Sequence, residues 1–176
     1  WVEQVRASLP ELPAQKRERF VREYGIPLAD AVVLTATRAM ADYYEECVRL
    51  FPQAKTVSNW IMTELLRALK SDNRNIQQCP VSPEALAGLL GLVEDGTISG
   101  KIAKDVFEQM YREGRSPLEV VESRGLRQVA DREAITSVVE QVLSAHPKEV
   151  EEYRGGKERL LGFFVGQVMK ATQGKA

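Results

Sequence analysis

The chain has 176 residues with 24 lysines and arginines against 25 aspartates and glutamates, a formal net charge of −1. That balance excludes polyanion binding through bulk charge, so any nucleic-acid role has to come from a local concentration of cations. Cys47 and Cys79 are isolated and His146 is the only histidine, so no Cys/His cluster has zinc-ligand spacing and the thiols read as reduced, cytosolic ones. The length suits one medium domain or two small ones. No signal peptide is visible, and a start at Trp1 rather than Met suggests the ordered portion of a longer protein.

Residues 1–9 can form a short helix, and Pro10 and Pro13 then read as a linker, with Pro13 placed to open the next helix. We expect residues 1–12 to be a strap from whatever precedes. A solvated helix follows over 13–24, burying Phe20 and Val21, and Gly25 ends it as a C-cap. Pro27 opens a short helix whose pattern shifts near Thr35. From there Met40, Tyr43, Tyr44, Cys47, Val48 and Phe51 recur at helical spacing until Pro52. Cys47 reads as a buried structural cysteine, and the two tyrosines as core and rim rather than as a stacking platform. The strongest helix of the first half is 56–71, where Val57, Trp60, Ile61, Met62, Leu65, Leu66 and Leu69 cover more than one face.

Ser82-Pro83-Glu84 has the cap, first-turn proline and first-turn acid of a helix start, and Gly96 closes that helix. Residues 95–100 resemble a calcium loop, but Val106 stands where a bidentate glutamate is required, so this is a turn. Ser99 caps the next helix, lined by Ile102, Val106, Met110 and Tyr111. Gly114 ends it, and Ser116-Pro117 starts a short one that stops at Gly125. Pro117 reads as the best internal boundary. Beyond it come three helical units, 117–124, 131–145 and 147 onward, with His146 a helix-end residue ahead of Pro147. No period-two alternation occurs, so the expectation is an all-α fold of two helical lobes: a larger one over 13–116 and a smaller tail over 117–176.

The closing stretch differs from the rest. At helical spacing Leu160, Leu161, Phe164, Val165, Val168, Met169 and Ala171 fill one half of a helix, which predicts a core-facing stripe. The other half carries Arg159, Gly162, Gly166, Lys170 and Gln173 in a row, with Phe163 and Gln167 along its border. From residue 154 onward five cations stand against Glu158 alone. Glycine costs a helix interior about 1 kcal/mol relative to alanine, so two on the solvent side call for something that approaches the backbone closely. A row of cations beside bare backbone, with an uncovered Phe163 at the rim, suits a nucleic-acid backbone. Gly162 and Gly166 also form a small-xxx-small pair that would let a partner helix pack, and that reading stays open. Residues 160–169 are too short for a membrane span, which needs about 20. Gly156-Lys157 is not a P-loop, because Glu151 and Glu158 occupy its required Gly and Ser/Thr positions.

No nucleophile with a base, paired carboxylates or metal cluster announces itself, so no catalytic residue is assigned. The run from Gly156 to Ala176, GKxxxxGFFVGQVMKATxGKA in outline, resembles the closing motif of the GatB family of bacterial aspartyl/glutamyl-tRNA amidotransferases, with its YqeY-like tail. Leu9-Pro-Glu-Leu-Pro13, Asn59-Trp60-Ile61 with Glu64-Leu65, and Gly96-Thr97-Ile98-Ser99 with Lys101 support it, and the resemblance covers essentially the whole chain. It implies a cytoplasmic, tRNA-holding helical region and tail that acts with tRNA(Gln) or tRNA(Asn) and with the A and C subunits of the amidotransferase. ATP and magnesium would act in a β-rich catalytic portion that precedes this region. Carried over by position, Lys157, Arg159, Gly162, Phe163, Gly166, Gln167, Lys170 and Lys175 are the candidate tRNA contacts, with no catalytic, cofactor or metal residue among them. The alternative is a non-catalytic protein-interaction scaffold, a stand-alone YqeY-like protein.

Overall fold

The computed structural model describes residues 11–127 and 132–174, with the side chains of residues 132 and 133 excepted. Among the described residues every regular element is helical, so the fold is all-α. The helix expected over residues 1–9 lies outside them.

The boundaries follow the local chemistry. Helix α1 (Pro13–Tyr24) starts on its proline and ends at Gly25, whose φ of 62° favours a residue without a Cβ. Helix α2 (Leu28–Leu34) follows Pro27, and α3 (Arg38–Leu50) is capped by the Thr37 hydroxyl, which accepts from the Met40 N–H at 3.1 Å. Helices α6 (Pro83–Glu94) and α7 (Gly100–Glu113) are capped by the Ser82 and Ser99 hydroxyls. At α8 (Pro117–Ser123), Ser116 and Glu119 cap reciprocally. The residue 95–100 segment is the expected turn, with Asp95 accepting from both the Thr97 N–H and hydroxyl.

One long helix between α3 and α6 departs from the regular pattern. Helix α4 (Ala54–Trp60) runs through a π turn (Ile61–Leu65) into α5 (Leu66–Ser71). The wider turn lets Ile61, Leu65 and Glu64 all be buried, at 0 %, 0 % and 5 % exposure. This accounts for the apolar residues over 56–71 that cover more than one face.

Helices α1 through α8 share one core in which Phe20, Tyr44, Leu34, Ile61, Leu65, Leu86 and Leu89 are sealed from solvent. Phe20, Tyr24 and Tyr44 pack as a ring cluster with centroids 5.1–5.5 Å apart. Both tyrosines of α3 are buried, and their hydroxyls donate to the Val81 and Ala54 carbonyls. Cys47 is also sealed, and burial pushes its thiol up to about 12.

The packing corrects the boundary at Pro117. Val120 and Val121 of α8 are fully buried in the large core and Leu126 packs against it, so this helix belongs to the larger lobe. Its seven residues are too few to show a period, so its two adjacent core valines carry no signal of the lobe they join. The remaining helices, α9 (Arg132–Ala145), α10 (Pro147–Arg154) and α11 (Leu160–Ala171), pack on one another. Their buried apolar side chains are Val142 and Phe164.

Candidate nucleic-acid interface

The closing unit is held by a few local devices. His146 sits at the N-cap of α10 with Nδ1 2.9 Å from the Val142 carbonyl, so it joins α9 to α10. Gly155 and Gly156 end α10, the latter at a φ of 102° that only glycine adopts without strain. The chain then turns through residues 157–159 into α11. At the far end the Thr172 hydroxyl donates to the Val168 carbonyl at 2.9 Å, and the Gly174 N–H donates to the Met169 carbonyl.

The phase of α11 is not the one the apolar pattern predicts. Phe164 is buried at 8 %, but Leu161, Val165 and Met169 are 55 %, 55 % and 40 % exposed. Phe163 and Gln167, expected on the rim of the polar row, are half-buried instead. Phe163 packs edge-on against His146 at 5.2 Å and against Phe164 at 5.5 Å, and Phe164 meets Tyr153 at 6.1 Å. The physical reason is area: aromatic rings bury more than aliphatic chains, and packed on α9 and α10 the helix turns both rings inward. Phe163 is therefore not an uncovered stacking surface.

The core of the polar row survives this rotation. Arg159, Gly162, Gly166, Lys170 and Gln173 are all exposed. A Cβ at Gly162 or Gly166 would meet nothing within 4 Å, so the bare backbone there serves no contact among the described residues. Arg159 occupies the N-cap of α11, where a cation gains nothing from the helix dipole. Neither Arg159 nor Lys170 forms an ion pair among the described residues, whereas Lys157 is engaged with Glu152 at 3.0 Å. Lys175 lies outside the described residues. The structure thus brings together Arg159, Gly162, Gly166 and Lys170 on one free face. It turns Phe163 and Gln167 away from that face and occupies Lys157.

Beside this face runs an apolar groove lined by Val139, Leu143 and Tyr153 from one side and Leu161, Val165 and Met169 from the other. The apolar pattern assigns the last three to the core. The signal that could have exposed them is their number: doublets at 160–161, 164–165 and 168–169 span more of the helix than two neighbouring helices can cover.

The family model described as the GatB domain matches residues 42–176. The chain belongs to the GatB family. It is 56% identical over 176 residues to the B subunit of the aspartyl/glutamyl-tRNA(Asn/Gln) amidotransferase of Geotalea uraniireducens, covering 100% of this chain and 37% of that protein. The corresponding subunit of Geobacter sp. strain M21 is 57% identical over 177 residues, and that of Carboxydothermus hydrogenoformans 49% over 176, with the same coverage of 100% and 37%. The chain therefore spans about a third of the length of these relatives. The GatB resemblance of its closing motif stands, as does the assignment to the helical and YqeY-like region of the family. Among the described residues no helix is long and apolar enough to cross a membrane.

Proposed function

We propose that this GatB-family chain holds tRNA for an amidotransferase that converts Glu-tRNA(Gln) or Asp-tRNA(Asn) to the correctly charged species, and that it is not catalytic by itself. The observation that carries the reading is the exposed face of α11, where two glycines with open space above them stand between Arg159 and Lys170, two cations without ion pairs among the described residues. Phosphate oxygens approach such a face without side-chain obstruction, and the cations neutralise their charge. Lys157 joins only by leaving Glu152. On this reading ATP and magnesium act in another portion of the parent protein, the A and C subunits of the amidotransferase are the cytoplasmic partners, and this region positions the tRNA body.

The testing experiment is a salt titration of tRNA binding by the 176-residue chain. Each neutralised phosphate contributes roughly −0.7 to −0.9 to the slope of log affinity against log salt, so Arg159, Lys170 and their neighbours should give a slope of roughly −2 to −3. A flat dependence contradicts the reading. A second reading is favoured by the apolar groove: Leu161, Val165 and Met169 beside Gly162 and Gly166 would seat a partner helix. In that case the chain binds no tRNA even at low salt, and the groove carries the affinity instead.

A further inference from the structure

The Glu64 that follows the Asn59-Trp60-Ile61 stretch plays no part in the tail, yet it is the one buried carboxylate among the described residues, at 5 % exposure. It lies in the π turn, a distortion that often marks a functional position in a helix. Two cations meet on it: Arg67 from its own helix and Lys104 from α7, the latter at 3.2 Å. Their side chains are 65 % and 62 % exposed. A buried acid costs desolvation free energy whether or not it is paired, and here that cost fixes two like charges, from separate helices, side by side at the surface. One carboxylate cannot use all eight N–H donors that an arginine and a lysine carry, so donors remain for another anion.

The surroundings fit the same chemistry. Lys101, exposed and without an ion pair among the described residues, stands one turn before Lys104 on α7. Trp60, half-buried, lies one turn before Glu64 with its ring 6.1 Å from Phe107. Glu64 and Arg67 line a cleft with Asp72, Phe107 and Tyr111, and the Tyr111 hydroxyl is buried there against Asp72. Asp72 and Glu108 also line the cleft, with Arg112; Glu108 stands one turn after Lys104 on α7, and Asp72 is 3.9 Å from Arg74.

We propose that Arg67 and Lys104, clamped by Glu64, form a phosphate-binding site on the larger lobe that takes a backbone phosphate of a bound polynucleotide. The tRNA reading supplies only the source of the phosphate; the clamp itself rests on the Glu64 geometry. The test is an NMR titration of the 176-residue chain with inorganic phosphate, following the Arg67 Nε–Hε and Trp60 indole resonances, paired with tRNA binding. Arg67→Gln and Lys104→Gln should each weaken phosphate binding roughly tenfold, the scale of one lost charge-assisted hydrogen bond. Glu64→Gln separates a clamp from diffuse charge, because it makes the site more positive. A clamp predicts weaker phosphate binding in that variant, and equal or tighter binding overturns the proposal. If Glu64→Gln fails to fold, unchanged phosphate binding in Arg67→Gln and Lys104→Gln overturns it equally.

The tRNA arm identifies the source. Arg67→Gln should lower tRNA affinity both in the unaltered chain and on a Lys170→Glu background. If Lys170→Glu does nothing while Arg67→Gln weakens tRNA, the tail reading fails and the clamp stands. If phosphate binding depends on Arg67 but tRNA binding does not, the site serves free phosphate and the polynucleotide assignment is overturned.

Discussion

The core of the larger lobe and the closing three-helix unit use the same kinds of residue to different effect. In the former, α1 through α8 surround one another, and Phe20, Leu34, Tyr44, Ile61 and Leu65 are sealed at 0 % exposure. In the latter, α11 packs on two helices, α9 and α10, and three of its large apolar side chains stay 40–55 % exposed. Small units have too little interior for every apolar residue. Hydrophobic periodicity therefore reports burial faithfully where many helices meet. Where few do, it reports only which residues are apolar, and ring size and local contacts decide which of them turn inward.

The heaviest loss of stability is expected where one region ends. A chain stopped before Ser116 loses α8, whose Val120 and Val121 are fully buried in the large core; at about 1.5–3 kcal/mol for each valine, it should lose about 3–6 kcal/mol. A chain stopped after Arg127 keeps that core and should melt cooperatively, close to the parent lobe. Equal denaturant midpoints for the two truncations would put the boundary back at Pro117.

The same substitution made in both regions tells them apart. Phe20→Ala empties a site at 0 % exposure that touches the Tyr24 and Tyr44 rings, so it should cost about 3–5 kcal/mol. Phe164→Ala opens onto the groove, where water and neighbouring side chains can refill the space, and should cost about 2–3 kcal/mol. Urea unfolding of both variants checks the order. On the exposed side, Val165→Gln should change stability by no more than about 0.5 kcal/mol, whereas a loss above about 2 kcal/mol would restore the helix phase read from the apolar pattern.

A weaker effect is a pH dependence at a helix start. The Ser116 N–H and hydroxyl hold the Glu119 carboxyl below its ordinary 4.5. Its folded pKa is thus lower than its unfolded one, so its contribution is complete above about pH 4.5 and disappears as pH falls through the depressed value. Glu119→Gln should flatten that part of the acid-unfolding profile of the chain. An unchanged profile would show that the reciprocal cap adds no pH-linked stability.

Helix starts were the most legible feature of the sequence, because Ser82-Pro83, Ser99 and Ser116-Pro117 encode caps through local chemistry alone. The burial of Phe20 and Cys47 was legible for a related reason: each sits on a stripe with partners on several sides, whereas Tyr43 and Tyr44, read as core and rim, are both buried. The π turn was not, since its wider winding depends on what α4 and α5 pack against. Nor was the inward turn of Phe163, because its partner is His146, a residue that the sequence marks only as a helix end. In the candidate site, Arg159, Gly162, Gly166 and Lys170 were legible as one row, and they share an exposed face. The occupation of Lys157 by Glu152 depends on the fold of the α10–α11 turn, which the spacing does not contain.

Two charge reversals that alter net charge equally decide whether the free face of α11 holds tRNA. Lys170→Glu lies on that face beside Gly166, and Lys148→Glu lies on α10 among Glu149, Glu151 and Glu152; both lysines are exposed, so each change should cost under about 1 kcal/mol of stability. The measurement is tRNA affinity at fixed salt. If the face holds tRNA, Lys170→Glu weakens binding about tenfold or more, on the scale of a lost charged contact, while Lys148→Glu leaves it within about twofold. Equal weakening by both would show that bulk charge, and not the Arg159, Gly162, Gly166, Lys170 face, carries the binding.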